Sequence, residues 1–240
     1  MKTITIAARF CGPANSSNGG YFAGRVAALA NRTVTVRLLK PPPLDTELAV
    51  EELEGGALRV LAGAEPVGEA QPAVLTLDLK PVPDYLEAVE ASRRYAGFRY
   101  HRFPTCFVCG TQRVRGDGMR IFAGPIPDRG IVAAPWVPDA SLDAGDGKVH
   151  PEFMSAALDC PGYYAVAPDD RMMLLACLTA HLDRRVHVGE ACTAVGWAIG
   201  SSGRKHEAGT ALFDGKGELC ARARALWIEP RAAVETAQAL

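Results

Sequence analysis

The sequence predicts an α+β protein made of two successive units, each with one helix followed by antiparallel strands. Two apolar segments, 18–30 and 150–164, open on turn-forming residues and have the composition of buried helices. Strand-like segments separated by glycine-containing turns follow each helix. The same order of elements therefore occurs twice.

Composition and charge restrict the kind of protein. Of 240 residues, 48% are hydrophobic and 22% charged, and the net charge of −1 offers no basic surface for nucleic acid. No run of 18 apolar residues predicts a membrane span, and the N-terminal apolar stretch is too short for a signal peptide. Seven scattered cysteines favour reduced thiols over a disulfide framework. We expect a cytoplasmic protein with no nucleic-acid or membrane partner.

The first unit is predicted to occupy residues 1–80. Ser16, Ser17 or Asn18 is positioned to N-cap a helix that runs to about Ala30. Glu54-Gly55-Gly56 is a hairpin signal, and residues 65–68 predict a second turn. The predicted strands are Thr33–Leu39, Glu47–Leu53, Ala57–Ala62 and Gln71–Leu79.

A linker, residues 81–103, joins this unit to a second one at 104–230, and a tail is predicted at 231–240. The linker contains a short helix over 84–95 with Asp84 as its cap. The second unit has the helix 150–164. Its predicted strands are 118–122, 130–136, 172–182, 188–200, 205–213 and 218–228.

Asp159 is the one charged residue between Glu152 and Asp169. A carboxylate within an apolar run is costly unless it is paired or neutralised, and its pKa is often raised. Such a group suits general acid or base chemistry. The alternative is a capping or ion-paired aspartate at a helix end, and the pattern alone leaves both open.

An internal repeat adds weight to the catalytic interpretation. Asn18-Gly19-Gly20 aligns with His150-Pro151-Glu152 at an offset of 132 residues, which places Ala27 opposite Asp159. Duplication of a unit of about 120 residues is the simplest explanation.

The repeated helix-and-strands unit resembles a known protein family. One helix that opens on small residues and is wrapped by an antiparallel sheet resembles the hotdog fold, and two tandem copies resemble double-hotdog acyl-CoA thioesterases. The most specific resemblance is to phenylacetate-pathway-type hotdog thioesterases, whose helix begins His-Gly-Gly and carries a catalytic aspartate nine residues after that histidine. His150 and Asp159 have this spacing, and Cys106-Phe-Val-Cys109-Gly110 matches the family's Cys-x-x-Cys-Gly segment.

The resemblance implies a tandem hotdog with two central helices, in which each active site joins the helix-start amides of one unit to the acid of the other. One such site, Gly19-Gly20 with Asp159, keeps both parts; the other, Pro151-Glu152 with Ala27, has lost both. We expect one site, which hydrolyses the thioester of an acyl-CoA. Asp159 is its general base or nucleophile, and the amides of Gly19 and Gly20 form its oxyanion hole.

Other residues receive secondary roles. Asn15 or Asn18 either positions the substrate carbonyl or caps the helix, and Thr179 either orients a water or is an ordinary strand residue. His150 is a substrate contact or a structural residue at a helix start. The predicted substrate-binding residues are Asn18, Asn15, Tyr21, His150 and Thr179.

We expect no cofactor and no metal. Cys106 and Cys109 form a single pair whereas structural zinc takes four ligands, which leaves metal binding by that pair open. Cys160 has no histidine at helical spacing to activate it and is assigned to packing. Arg204-Lys205-His206 either meets coenzyme A phosphates or lies in a solvated turn.

Alternative functions are less well supported. No Gly-x-Ser-x-Gly, P-loop or Gly-x-Gly-x-x-Gly pattern is present, so an α/β-hydrolase or nucleotide-binding fold is not expected. The competing hypothesis is a non-catalytic acyl-CoA binding or regulatory protein with the same fold. A homo-oligomer is compatible with the sequence.

Overall fold

The structure, a computed structural model, describes residues 2–167 and 171–231. The described helices are α1 (Gly19–Ala30), α2 (Tyr85–Ser92), α3 (Pro151–Ala157) and α4 (Cys160–Val166). The described strands are β1 (Lys2–Thr5), β2 (Val34–Leu38), β3 (Glu47–Glu52), β4 (Leu58–Ala62), β5 (Glu65–Pro72), β6 (Gly124–Ile126), β7 (Ile131–Trp136), β8 (Leu174–Leu182), β9 (Cys192–Ser202), β10 (Lys205–Phe213) and β11 (Leu219–Ile228).

These strands form one antiparallel sheet in the order β1-β3-β4-β5-β2-β8-β11-β10-β9-β7-β6. β2 pairs with β8 in the middle, with Thr35 opposite Thr179 and Arg37 opposite Cys177. Outward from this seam, β5, β4, β3 and β1 on one side correspond to β11, β10, β9 and β7 on the other. A helix precedes the seam strand on each side, so the two sides share one connectivity.

Helices α1 and α3 lie against each other because glycines on α1 allow their backbones to approach. A Cβ on Gly20 would lie 2.6 Å from Asp159 Cβ, and a Cβ on Gly24 would lie 2.6 Å from Glu152 Cα. Gly20 thus contacts the C-terminal end of α3 and Gly24 contacts its N-terminal end, so the two helices are antiparallel. This close antiparallel contact brings the start of α1 to the end of α3.

We predict that Gly24→Val lowers the free energy of unfolding by about 3 kcal/mol, at the upper end of typical overpacking costs. The added side chain would meet the α3 backbone, which cannot move aside as a flexible side chain does. Urea denaturation measures the change. Gly200→Val is the matched control, because a Cβ there meets nothing within 4 Å; equal losses in the two variants would contradict the close contact.

The predicted helix 150–164 is divided into α3 and α4, which corrects the placement of Asp159 midway along one helix. Asp159 lies in the break, between the end of α3 at Ala157 and the start of α4 at Cys160. Pro161, in the first turn of α4, has no N–H to continue a helical ladder. Thr210 Oγ1 donates a hydrogen bond to the Leu158 carbonyl at 2.8 Å and so satisfies an acceptor that the break exposes.

The linker helix expected over 84–95 is α2, which ends at Ser92 and covers the opposite face of the sheet. Asp84 caps α2 in a reciprocal capping box with Glu87. Ala88 and Ala91 pack against Ile131 and Ala133 of β7, whereas Val132 and Ala134 between them belong to the core around α1 and α3.

Three local predictions were wrong. The turn expected at 65–68 lies at Gly63-Ala64, where Gly63 has a φ of 61° and β4 and β5 form a two-residue hairpin. The strand expected over 71–79 ends at Pro72. Residues 118–122 form no strand, because Met119 and Ile121 N–H groups bond instead to the carbonyls of Phe107 and Val108.

Three further predictions concern the C-terminal tail, membrane spans and the cysteines. Of the predicted tail 231–240, residues 232–240 lie outside the described residues. None of the helices in the described part of the chain has the length and the apolar composition that a membrane span requires. All seven cysteines are free thiols.

Candidate active site

Asp159 meets the start of α1 directly. Its Oδ2 accepts a hydrogen bond from the Gly20 backbone N–H at 3.0 Å and another from Asn18 Nδ2 at 2.6 Å. The residue is buried, with 3% of its surface exposed. Its Oδ1 has no partner within the described residues, although that atom is also buried. One carboxylate oxygen is therefore fixed and the other has no hydrogen bond.

The start of α1 is built to make these contacts. Asn18 is the N-cap, as one of the three sequence candidates, and its Oδ1 accepts from the Tyr21 N–H at 2.9 Å. The same side chain therefore caps the helix with its oxygen and holds Asp159 with its nitrogen. The N–H of Gly19 has no acceptor within residues 2–167 and 171–231. Such an orphan amide at a helix start is an anion donor.

Burial raises the pKa of Asp159 to about 7 because desolvation penalises its charged form. The Gly20 hydrogen bond lowers this pKa, negative charge on Cys106 raises it, and the Asn18 hydrogen bond lowers it. The dominant effect is thus desolvation, as expected for a carboxyl group in apolar surroundings.

A cavity of about 300 Å³ adjoins this carboxyl group. Gly19, Asn18 and Asp159 form one wall. The apolar and aromatic lining includes Phe103, Tyr163, Tyr164, Met173, Leu175 and Trp227. Trp227 Nε1 is a second buried polar atom without a partner among the described residues. Unsatisfied buried polar groups in a cavity wall are typical of a place that a ligand or water completes.

Three thiols also line the cavity, a cluster that the sequence did not predict. Sγ atoms of Cys106, Cys109 and Cys160 all lie within 4.8 Å of one another. Hydrogen bonds from the Cys109 and Cys160 thiols hold the pKa of Cys106 below its usual range, and the pKa values of Cys109 and Cys160 are raised. Two sequence features could have indicated this cluster: the Cys-x-x-Cys segment, and the position of Cys160 directly after Asp159.

Four predicted substrate-binding residues do not line the cavity. Tyr21 is buried among Phe10, Phe107 and Phe153. Thr179 Oγ1 lies 2.6 Å from Thr35 Oγ1 across the sheet seam. This contact favours the alternative that Thr179 is an ordinary strand residue.

The other two are Asn15, which is exposed in the loop before α1, and His150, which precedes α3 with its ring 3.9 Å from Glu152. The structure therefore brings only Asn18, Gly19 and Gly20, of the predicted partners, to Asp159.

Among the described residues, the second composite position does not combine a helix-start amide with an acid. Pro151 is the first residue of α3 and has no N–H. Glu152 Oε1 lies 3.9 Å from Arg25 Nε on α1. Ala27, the counterpart of Asp159, is a partly buried residue packed against the core.

Comparison with solved structures identifies the fold. The tesB protein of Mycobacterium avium subspecies paratuberculosis matches with a TM-score of 0.63 and 14% identity, and the match covers 95% of this chain and 92% of that protein. A candidate thioesterase from Novosphingobium aromaticivorans matches over 95% of each chain, with a TM-score of 0.60 and 13% identity. At this identity, these matches confirm the predicted resemblance at the level of the fold, which is a hotdog fold.

A partial match is to the thioesterase superfamily protein RHA08564, with 20% identity and a TM-score of 0.43 over 46% of this chain. The chain spans 54% of the length of that protein. Neither a protein-family model nor a curated protein sequence matches the chain.

Proposed function

We propose that this protein is a tandem hotdog thioesterase that hydrolyses an acyl-CoA at one site between its halves. The observation that carries the proposal is the contact of Asp159, from the α3–α4 break, with the start of α1 beside an apolar cavity. Thioester hydrolysis needs an activated water or nucleophile and a donor for the developing oxyanion. This site supplies a candidate for each.

Asp159 Oδ1 is the reacting oxygen in this proposal. Because Gly20 and Asn18 fix Oδ2, Oδ1 is oriented without being bonded. It acts on the thioester carbonyl directly, or it takes a proton from a water that does so. Both routes require the same placement of Oδ1, and neither requires a cofactor.

The Gly19 amide is the proposed oxyanion donor. The Gly20 N–H is already bonded to Asp159, so its role becomes to hold the acid rather than to stabilise the oxyanion. The Gly19 N–H is unpartnered among the described residues and Gly19 lines the cavity. It also lies at the positive end of the α1 dipole, which favours developing negative charge.

The substrate class follows from the lining. Apolar and aromatic side chains suit the acyl group. Two exposed cations that line the cavity suit coenzyme A phosphates: Arg102, and Lys40, whose ammonium group also pairs with Glu65. The alternative phosphate contacts, Arg204 in the β9–β10 turn and His206 in β10, do not line the cavity. Arg204 donates to the Glu229 carbonyl, and His206 pairs with the Glu229 carboxylate.

A panel of acyl-CoA substrates tests the proposal. We expect release of coenzyme A, followed by chromatography, from at least one of the short, medium, long and aryl acyl chains. A chain with an inactivated Asp159 provides the background rate. Saturable acyl-CoA binding with no release from any of them would instead support the non-catalytic binding protein.

A further inference from the structure

We propose that the thiols of Cys106, Cys109 and Cys160 form a metal site for a thiophilic divalent ion, Zn²⁺, with its fourth position open to the cavity. Nothing in thioester hydrolysis by Asp159 requires this site, so the proposal goes beyond the proposed function.

The spacing of the sulfur atoms suits a shared ion. Cys106 Sγ lies 3.9 Å from Cys160 Sγ, and all three sulfurs are mutually within 4.8 Å. A tetrahedral zinc with Zn–S bonds of about 2.3 Å holds its thiolates about 3.8 Å apart. The three thiols thus need only small movements to meet at one ion, and soft thiolate ligands select zinc over Mg²⁺ or Ca²⁺.

The Cys106–Cys109 loop is preformed for this role. The Gly110 N–H donates to the Cys106 carbonyl at 2.8 Å. A Cβ at Gly110 would lie 2.5 Å from that carbonyl oxygen, so only glycine permits this tight turn.

The third ligand comes from a distant part of the chain. Cys160 opens α4, and the break that contains Asp159 also directs the Cys160 thiol to the loop 54 residues earlier in sequence. The expectation of no metal relied on a count of two thiols, and the fold changes that count to three.

The fourth position is available to a small ligand. Within the described residues, no histidine, aspartate or glutamate joins the three sulfurs as a further ligand atom at the same spacing. All three cysteines line the cavity, so water or a solute reaches the ion from there. Three protein ligands with one open position is the arrangement of catalytic rather than structural zinc sites.

Metal analysis of the full chain tests the site independently of any activity. We expect protein purified without chelators to carry close to one zinc per chain by elemental mass spectrometry. After zinc removal under reducing conditions, titration with Co²⁺ should produce thiolate-to-cobalt charge-transfer absorption that saturates at one equivalent.

Single substitutions identify the ligands. Cys106→Ser, Cys109→Ser and Cys160→Ser should each lose most of the zinc and of the charge-transfer band. Cys177→Ser is the matched control and should retain both, because Cys177 lies on β8 and does not line the cavity.

Two results would overturn the site. One is a folded, reduced wild-type chain that gives no charge-transfer band with Co²⁺, a result that does not depend on whether the variants fold. The other is zinc and cobalt binding by Cys160→Ser equal to that of the wild type. Loss of thioester hydrolysis with normal metal binding would count against the proposed function alone.

Discussion

Asp159→Asn is expected to lower the rate of acyl-CoA hydrolysis by about 10²–10⁴-fold, the usual contribution of a positioned general base. The amide oxygen can still accept from the Gly20 N–H and Asn18 Nδ2, while an NH₂ group takes the position of the unpartnered Oδ1. The fold and substrate binding should therefore be retained. Steady-state coenzyme A release and urea denaturation measure the two effects.

Two control variants test whether this effect is specific to one half of the molecule. Glu152→Gln should leave turnover unchanged, because Glu152 lies beside Arg25 and does not line the cavity. Ala27→Asp should not create a second activity, since Pro151 cannot offer an amide there. Full turnover in Asp159→Asn would mean that the carboxyl group is structural.

Asn18→Asp is expected to reduce turnover by about 100-fold or more, a loss of the size seen when a positioned donor is removed from an active site. Aspartate caps helices as well as asparagine does, so α1 should persist. The substitution replaces the donor 2.6 Å from Asp159 Oδ2 with a second carboxyl group, and two carboxylates at that distance cannot both be charged. Coenzyme A release measures the loss.

Asn31→Asp is the matched control for added charge. Asn31 ends α1 with a φ of 50° and does not line the cavity, so its substitution should leave turnover unchanged. Helix content by circular dichroism should be the same in both variants. Equal rates for Asn18→Asp and Asn31→Asp would show that the contact between Asn18 and Asp159 does not matter for turnover.

Local patterns were sufficient to predict much of the fold. The N-cap expected within residues 16–18, the cap at Asp84 and the β10–β11 hairpin each depend on residues close together in sequence. The strand expected at 118–122 does not form, because N–H groups of this segment bond to carbonyls of the Cys106–Cys109 loop. The alternation of apolar and polar residues cannot reveal such a contact.

The candidate site was predictable only in part. Asp159 is conspicuous as a lone charge in an apolar segment, and the resemblance to paired hotdogs implied its partner at the start of α1. Which amide is free could not be predicted, because it depends on Gly20 lying close enough to α3 to bond Asp159. The thiol cluster likewise depends on packing that brings Cys160 to a loop 54 residues away.

The most direct test of the composite site is a double-mutant cycle on Asn18 and Asp159, measured as coenzyme A release from the best substrate. If both residues serve one transition state, the barrier increase in Asn18→Asp/Asp159→Asn should be clearly smaller than the sum of the two single increases. Independent sites add within about 0.5 kcal/mol. Additive barriers would contradict the account, because they would mean that the start of α1 and Asp159 do not act together.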